Sequence, residues 1–285
     1  MSKLRSKVRQ ILPGKIVTLL RRVDRKFQDF KYQLFFLRNY GRLDFFDVID
    51  IEVNTYCNRR CPYCPNSAYE KGLKKNEKFM SEKTYEKLID ELAKLKFRGR
   101  ITPCFYNEPL TDNRLLDLIG YARKKLPYAK IIITTNGDYL DIKSYRNLIK
   151  AGVDSFYISQ HNCSKPSEKL KQVFDFVKKN RNLRRTIHYE VIDPKSRPLF
   201  NRGGLVRPQV VSETPICIDY GNPLIVDYQG NILLCCNDYF GSVNFGNINE
   251  KSLLEIWDSE KFKSLRKRLR RGIYDLPICR KCVGK

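Results

Sequence analysis

The sequence predicts an α/β fold: a partial (β/α)6 TIM-like barrel over residues 47–211, then a small C-terminal α+β domain over 212–285. Three observations predict it. Short β-branched runs alternate with amphipathic helical stretches between residues 48 and 192, the pattern of a parallel sheet with helical crossovers. Roughly five or six such units are too few to close an eight-stranded barrel. Beyond residue 212 the alternation stops, and cysteine, glycine and asparagine frame one hairpin and one long helix.

Residues 1–46 read as a basic extension. Lys3, Arg5, Lys7, Arg9, Lys15, Arg21, Arg22, Arg25 and Lys26 alternate with Leu4, Val8, Ile11, Val17, Leu19 and Leu20, and past Pro13 this spacing allows an amphipathic helix. Phe35, Phe36 and Leu37 add an apolar patch. Such a segment either packs on the body of the protein or makes a peripheral contact with an anionic membrane.

The first strand is expected at 48–53, where a β-rich alternating run precedes a cysteine loop. A helix over 81–95 starts at the cap Ser81 and carries Tyr85, Leu88, Ile89, Leu92 and Leu95 on one stripe. Further strands fall at 101–106, 129–134, 154–159 and 186–192, and helices at 112–125, 142–151 and 167–179. A short extra strand is allowed over 205–211. In the C-terminal part, 223–227 and 232–236 form a hairpin about Tyr228-Gln229-Gly230-Asn231. A helix over 252–271 turns Leu253, Leu254, Ile256, Trp257, Phe262, Leu265 and Leu269 toward the core, with Trp257 as its anchor.

The 285 residues are 42% hydrophobic, enough for a core, which excludes a globally disordered chain. A formal net charge of +24 suits an anionic partner (nucleic acid, a membrane surface or a phosphorylated substrate) or a solvated lysine-rich surface. The run 11–17 is broken by Pro13, Gly14 and Lys15, so no signal peptide is expected. No stretch approaches roughly 18 apolar residues, so no transmembrane helix is expected either. The expected compartment is the cytoplasm, where ten cysteines read as metal ligands rather than disulfides.

Cys57, Cys61 and Cys64 carry the chemistry. A structural zinc site wants four closed ligands. Three soft thiolates on one short loop suit an iron–sulfur cluster, and on a four-iron cluster they leave one iron open to a small molecule. A zinc knuckle completed by a distant cysteine is the alternative. The text Cys57-Asn58-Arg59-Arg60-Cys61-Pro62-Tyr63-Cys64 resembles the signature of the radical S-adenosylmethionine (SAM) superfamily, whose usual fold is the partial barrel. The resemblance implies SAM's amino and carboxylate groups on the open iron, and Tyr63 against the cofactor.

Other motifs sit at strand ends, where barrels collect their chemistry. Tyr106-Asn107-Glu108-Pro109 resembles the superfamily's Gly-Gly-Glu-Pro, implying that Asn107 and Glu108 border SAM and that Glu108 holds its ammonium. Tyr106 and Asn107 depart from the two glycines, and asparagine tolerates a left-handed backbone if the loop demands one. Thr134-Thr135-Asn136-Gly137 and Ser159 resemble further SAM-contacting positions, so Asn136 and Ser159 are candidates too. His161 reads as a pocket or surface residue, and His188 as packed within its strand. Asn201-Arg202-Gly203-Gly204 resembles text that precedes the superfamily's auxiliary domains; Arg202 is a candidate donor to a substrate anion, against a plain linker.

Cys217, Cys235, Cys279 and Cys282 make a second quartet, with Cys236 as substitute for Cys235. The spacing also suits a zinc ribbon. The layout resembles the auxiliary-cluster domains called SPASM, in the one-cluster form called twitch, which implies a second [4Fe–4S] cluster and leaves Cys104, Cys163 and Cys236 as buried thiols. The resemblance implies a radical SAM oxidoreductase: SAM is cleaved to a 5′-deoxyadenosyl radical that takes a hydrogen atom from the substrate, and the second cluster accepts an electron. It implies a sugar-like or nucleotide-linked substrate, phosphorylated or not, and a flavodoxin- or ferredoxin-type donor. A peptide maturase is the rival enzyme. From a different class, Lys261, Lys263, Arg266, Lys267, Arg268, Arg270 and Arg271 would suit a zinc-holding nucleic-acid-binding protein, although the strand-end motifs would then be coincidences.

Overall fold

The computed structural model describes residues 30–161, 165–210, 217 and 223–284. The chain divides into two compact units, Met1–Phe45 and Phe46–Lys285. In the first, residues 30–40 form helix α1, which ends at Gly41 in the left-handed region (φ 66°), with the Gly41 N–H donating to the Leu37 carbonyl at 3.0 Å. Phe36 is buried and meets the rings of Tyr32, Tyr40 and Phe45. The rest of the expected extension lies outside the described residues.

The second unit is built on one eight-stranded sheet. Its first five strands are β1 (Val48–Ile51), β2 (Arg100–Thr102), β3 (Lys130–Thr135), β4 (Ser155–His161) and β5 (Ile187–Ile192), all parallel and side by side in that order. Four helices follow their strands: α2 (Glu82–Lys94), α3 (Leu115–Lys125), α4 (Ile142–Ala151) and α5 (Glu168–Lys179). Ser81, Asp141 and Ser167 cap α2, α4 and α5 with a side-chain oxygen on the N3 amide. Helix α2 buries Tyr85, Leu88, Ile89 and Leu92, the stripe its spacing predicts.

The sixth parallel strand is not where the sequence allowed one. Residues 205–210 form no strand, and Pro208 offers no amide to a ladder there. Instead β6 (Leu224–Val226) pairs parallel with β1, on the side away from β2. All three of its residues are buried, as a central strand covered on both faces requires. The expected hairpin follows, as β6 turns through Asp227 into β7 (Asn231–Leu233) and then β8 (Asn244–Asn247), both antiparallel. The Asp227 carboxylate accepts the Gln229 and Asn231 amides and shapes the turn. The parallel and antiparallel parts thus share one sheet, in the order β5-β4-β3-β2-β1-β6-β7-β8.

The helix expected over 252–271 is two helices, α6 (Leu253–Trp257) and α7 (Glu260–Arg270). Ser259 caps a new helix by accepting the Phe262 amide, just as Ser252 caps the first with Glu255 in a capping box. Trp257 is a core anchor as expected, set edge-on to Phe46 and Phe262. Arg266, grouped above with the basic residues that would suit nucleic acid, is fully buried: its guanidinium stacks 3.6 Å from the Trp257 ring and donates to the Trp257 carbonyl. A last helix, α8 (Pro277–Cys282), carries the terminal cysteine pair and was not anticipated. His188, expected to be packed, lies exposed on β5 and stacks on Tyr157.

Candidate active site

The cysteine loop leaves the C-terminal end of β1 and is clamped to the ends of neighbouring strands. Arg59 reaches Asp138, beyond β3, through Nε and Nη2 at 2.7 and 2.5 Å. Asn58 donates to the same carboxylate at 2.8 Å and accepts from Asn136 Nδ2 at 2.8 Å. Tyr63 Oη lies 2.7 Å from Nδ1 of His161, the last residue of β4. On the other side, Asn66 donates to the Tyr106 carbonyl and accepts from Tyr239 Oη. Burial opposes ionisation of Asp138, but the Arg59 and Asn58 donors hold its carboxyl below the usual value. The loop is therefore preorganised by charge-assisted bonds across long stretches of sequence.

Burial pushes the Cys57 thiol up to about 12 and Cys61 to about 11, and raises Cys64 as well; the neighbouring thiols add to the first two. Three such groups become thiolates together only beside a strongly positive centre. Soft sulfur donors crowded on one loop fit an iron–sulfur cluster in this respect.

Cys57, Cys61 and Cys64 open into one cavity of about 410 Å³, lined also by Tyr63, Asn107, Glu108, Asn136 and Ser159. All eight residues expected at the first cluster and its cofactor thus meet in one place. Glu108 is buried; its Oε1 accepts from Thr135 Oγ1 at 2.6 Å and its Oε2 from the Asn136 amide at 2.7 Å. Burial raises its carboxyl to about 7, despite those donors. Asn107 uses its side chain to brace the loop: Nδ2 donates to Asn54 Oδ1 and the Pro103 carbonyl, and Oδ1 accepts from the Phe105 amide. No left-handed backbone is needed here, since among the described non-glycine residues only Lys96 and Arg202 have positive φ. Asn136 likewise holds Asn58 and accepts the Asp138 amide, and Ser159 donates to Glu190.

The cavity wall also holds Glu190 and Arg197, which no motif marked. Glu190 takes Arg197 at 2.6 Å, and both line the cavity with His161 and Arg202. The Arg197 bond keeps the Glu190 carboxyl below its usual value. Burial, with the Arg59 charge, pulls His161 down to about 4, so its imidazole is neutral at pH 7. Arg202 sits at φ 51°, a backbone conformation that costs energy outside glycine, with its guanidinium over the Tyr106 ring.

The second cysteine set lies against this wall. Cys279 is pushed up to about 12 by burial and by the Cys217 and Cys282 thiols beside it. Asn237 bridges the two regions: its Oδ1 accepts from Arg202 Nη1, and its Nδ2 donates to Cys282 Sγ, each at 3.4 Å. Gly203 (φ 66°) lets α8 approach, for a Cβ there would stand 2.7 Å from Ile278. The Asn201-Arg202-Gly203-Gly204 text is therefore a docking surface for the terminal cysteine helix, where Asn201 also donates to the Lys281 carbonyl. Cys236 lines the cavity, and Tyr106 Oη donates to its carbonyl; Cys235 does not line it. Cys104 is also at the cavity wall, and Cys163 lies outside the described residues.

Residues 51–193 match the family model described as Radical SAM superfamily, and residues 217–283 match SPASM, described as an iron-sulfur cluster-binding domain. Over 242 residues the chain is 35% identical to a Niallia circulans protein named S-adenosyl-L-methionine-dependent 2-deoxy-scyllo-inosamine dehydrogenase, covering 83% of this chain and 92% of the relative. It superposes on the crystal structure of BtrN in complex with AdoMet and 2-DOIA with a TM-score of 0.74 at 33% identity, over 84% of this chain and 93% of that one. Native anSMEcpe with bound AdoMet and Cp18Cys peptide shares the fold at a TM-score of 0.51 and 13% identity, over 83% of this chain and 88% of that one.

Proposed function

The chain belongs to the radical SAM superfamily, and on that premise we propose that it oxidises a secondary alcohol of an amino-cyclitol or similar sugar-like ring to a ketone. Its cofactors are SAM and iron–sulfur clusters. A reduced [4Fe–4S] cluster held by Cys57, Cys61 and Cys64 would, with SAM, supply hydrogen-atom abstraction from the carbinol carbon, and a second cluster would supply an acceptor for one electron.

The chain's own residues hold, orient and exclude. Cys57, Cys61 and Cys64 are the ligands we assign to the first cluster, and the Asp138, Asn136 and His161 bonds fix the loop that carries them. Glu108, already holding the end of β3, is the carboxylate placed to take SAM's ammonium. Tyr63 packs against Cys61, Cys64, Ile192 and Leu199 and shields that side of the loop. Asn107 and Asn136 keep the walls in shape, and Ser159 holds Glu190. Cys217, Cys279 and Cys282 are assigned to the second cluster with Cys235, because Cys236 faces the cavity instead. Arg197, Glu190 and Arg202 offer donors and an acceptor to a polyhydroxylated, amine-bearing ring. Oxidation of the carbinol balances as one hydrogen atom, one proton and one electron lost from the substrate. Electrons for each turnover come from a flavodoxin- or ferredoxin-type protein, and the cytoplasm suits both.

The observation that carries this reading is the Asn237 bridge, which ties a cavity-wall arginine to a cysteine of the second set. A reducible centre within reach of the substrate suits oxidation. The relative's printed substrate, 2-deoxy-scyllo-inosamine, is the first compound to test. Anaerobically reconstituted protein should hold about eight irons per chain and, with SAM and dithionite, form 5′-deoxyadenosine and ketone in equal amounts by mass spectrometry. Deoxyadenosine formation without ketone from any amino-cyclitol or sugar offered would overturn the substrate class.

A further inference from the structure

The N-terminal unit lies outside both family matches, and its surface has its own chemistry. Helix α1 exposes Phe30, Leu34 and Leu37 at 55%, 49% and 48% of their surface. Spacings of four and three put them on one side of the helix. By the same periodicity Lys31 and Arg38 run along the flank of that stripe. The stripe is no remnant of the unit's core, because Phe36 is buried on a different side among Tyr32, Tyr40 and Phe45. Upstream, the sequence continues the same spacing through Ile16, Leu20, Val23 and Phe27, interleaved with Arg21, Arg22, Arg25 and Lys26. Residues 1–45 carry twelve lysines and arginines against three aspartates.

We propose that α1 docks on an anionic phospholipid surface. Phe30, Leu34 and Leu37 enter the boundary between headgroups and acyl chains, and Lys31 and Arg38 reach lipid phosphates. Charge complementarity selects this occupant. A second copy seated on the stripe would set one basic segment, twelve lysines and arginines against three aspartates, against another, whereas phosphates neutralise it. Among the described residues no helix is long and apolar enough to cross a membrane.

The test is co-sedimentation of the full chain with vesicles of phosphatidylcholine alone and of equimolar phosphatidylcholine and phosphatidylglycerol. The chain should pellet with the anionic vesicles at least about tenfold more strongly than with the neutral ones, and salt should weaken the binding. The double variant L34E/L37E should lose that binding about tenfold or more while keeping wild-type iron content and SAM cleavage. K31E/R38E should lose the preference for anionic lipid. Failure to pellet, pelleting unchanged by L34E/L37E, or a solution dimer that L34E/L37E dissolves would each overturn the proposal. Because SAM cleavage is read in the same samples, none of these outcomes bears on the proposed reaction.

Discussion

Glu108 offers the sharpest test of how the cofactor is held. Its carboxyl is raised to about 7, chiefly by burial, against an ordinary value of 4.5. A carboxyl raised in this way is protonated in the cofactor-free protein below pH 7 and ionised above it. If it receives SAM's ammonium, the complex holds it ionised, so binding releases a proton below pH 7 and none well above. By linkage, this carboxyl by itself makes SAM affinity rise with pH, weakening it about tenfold between pH 8 and pH 6 with no further contribution well above 7. Glu108→Gln removes that carboxyl, so its profile should be about tenfold shallower over the same range, keeping only the slope that SAM's own amino group contributes when it gives up its proton to bind iron. It also removes a charge-assisted bond worth about 1.5–3 kcal/mol, or roughly ten- to hundredfold in affinity at pH 8. The amide would further set a donor against Thr135 Oγ1 or the Asn136 amide, at a cost of about 1–3 kcal/mol in stability. The assay is calorimetric titration of reconstituted protein with SAM under anaerobic conditions at pH 6, 7 and 8, with iron content and melting temperature measured alongside. A wild-type affinity independent of pH would refute the reasoning even if the glutamine variant does not fold. So would an equal slope in both proteins.

Two further outcomes are expected. Cys61→Ala should abolish deoxyadenosine formation, whereas Cys279→Ala should retain some SAM cleavage yet form no ketone; ketone at the wild-type rate from the second variant would remove the electron-acceptor role. Arg266→Ala deletes the guanidinium between Trp257 and Phe262 and leaves the Trp257 carbonyl without that donor. It should cost about 2–4 kcal/mol in denaturant unfolding, as expected for a buried polar deletion with a cavity, and a loss below about half a kcal/mol would show Arg266 to be a surface cation after all.

What was legible in the sequence is local. The helix cap at Ser81, the apolar stripe of α2 and the spacing of Cys57, Cys61 and Cys64 all depend on residues within a turn or two of each other, so periodicity and ligand chemistry expose them directly. The resemblance extended this to Glu108, Asn136 and Ser159, and the strand-end rule said why they meet, because a parallel sheet brings the ends of its strands to one side. The same rule could say that Asn136 and Asn107 belong at the site but not that their amides brace the chain, since their partners Asn58 and Asn54 lie far away in sequence.

Sequence alone thus determined a cluster-bearing α/β chain with a second cysteine set. The tertiary structure decided that Leu224–Val226, not 205–211, joins β1; that Asp138 clamps the cysteine loop; that Cys236 rather than Cys235 faces the cavity; and that Arg266 is buried. The physical reason is shared by all four. Each depends on which distant surfaces close-pack and in what register, and at those positions a basic, cysteine-rich or β-branched text admits more than one arrangement until the whole sheet has formed.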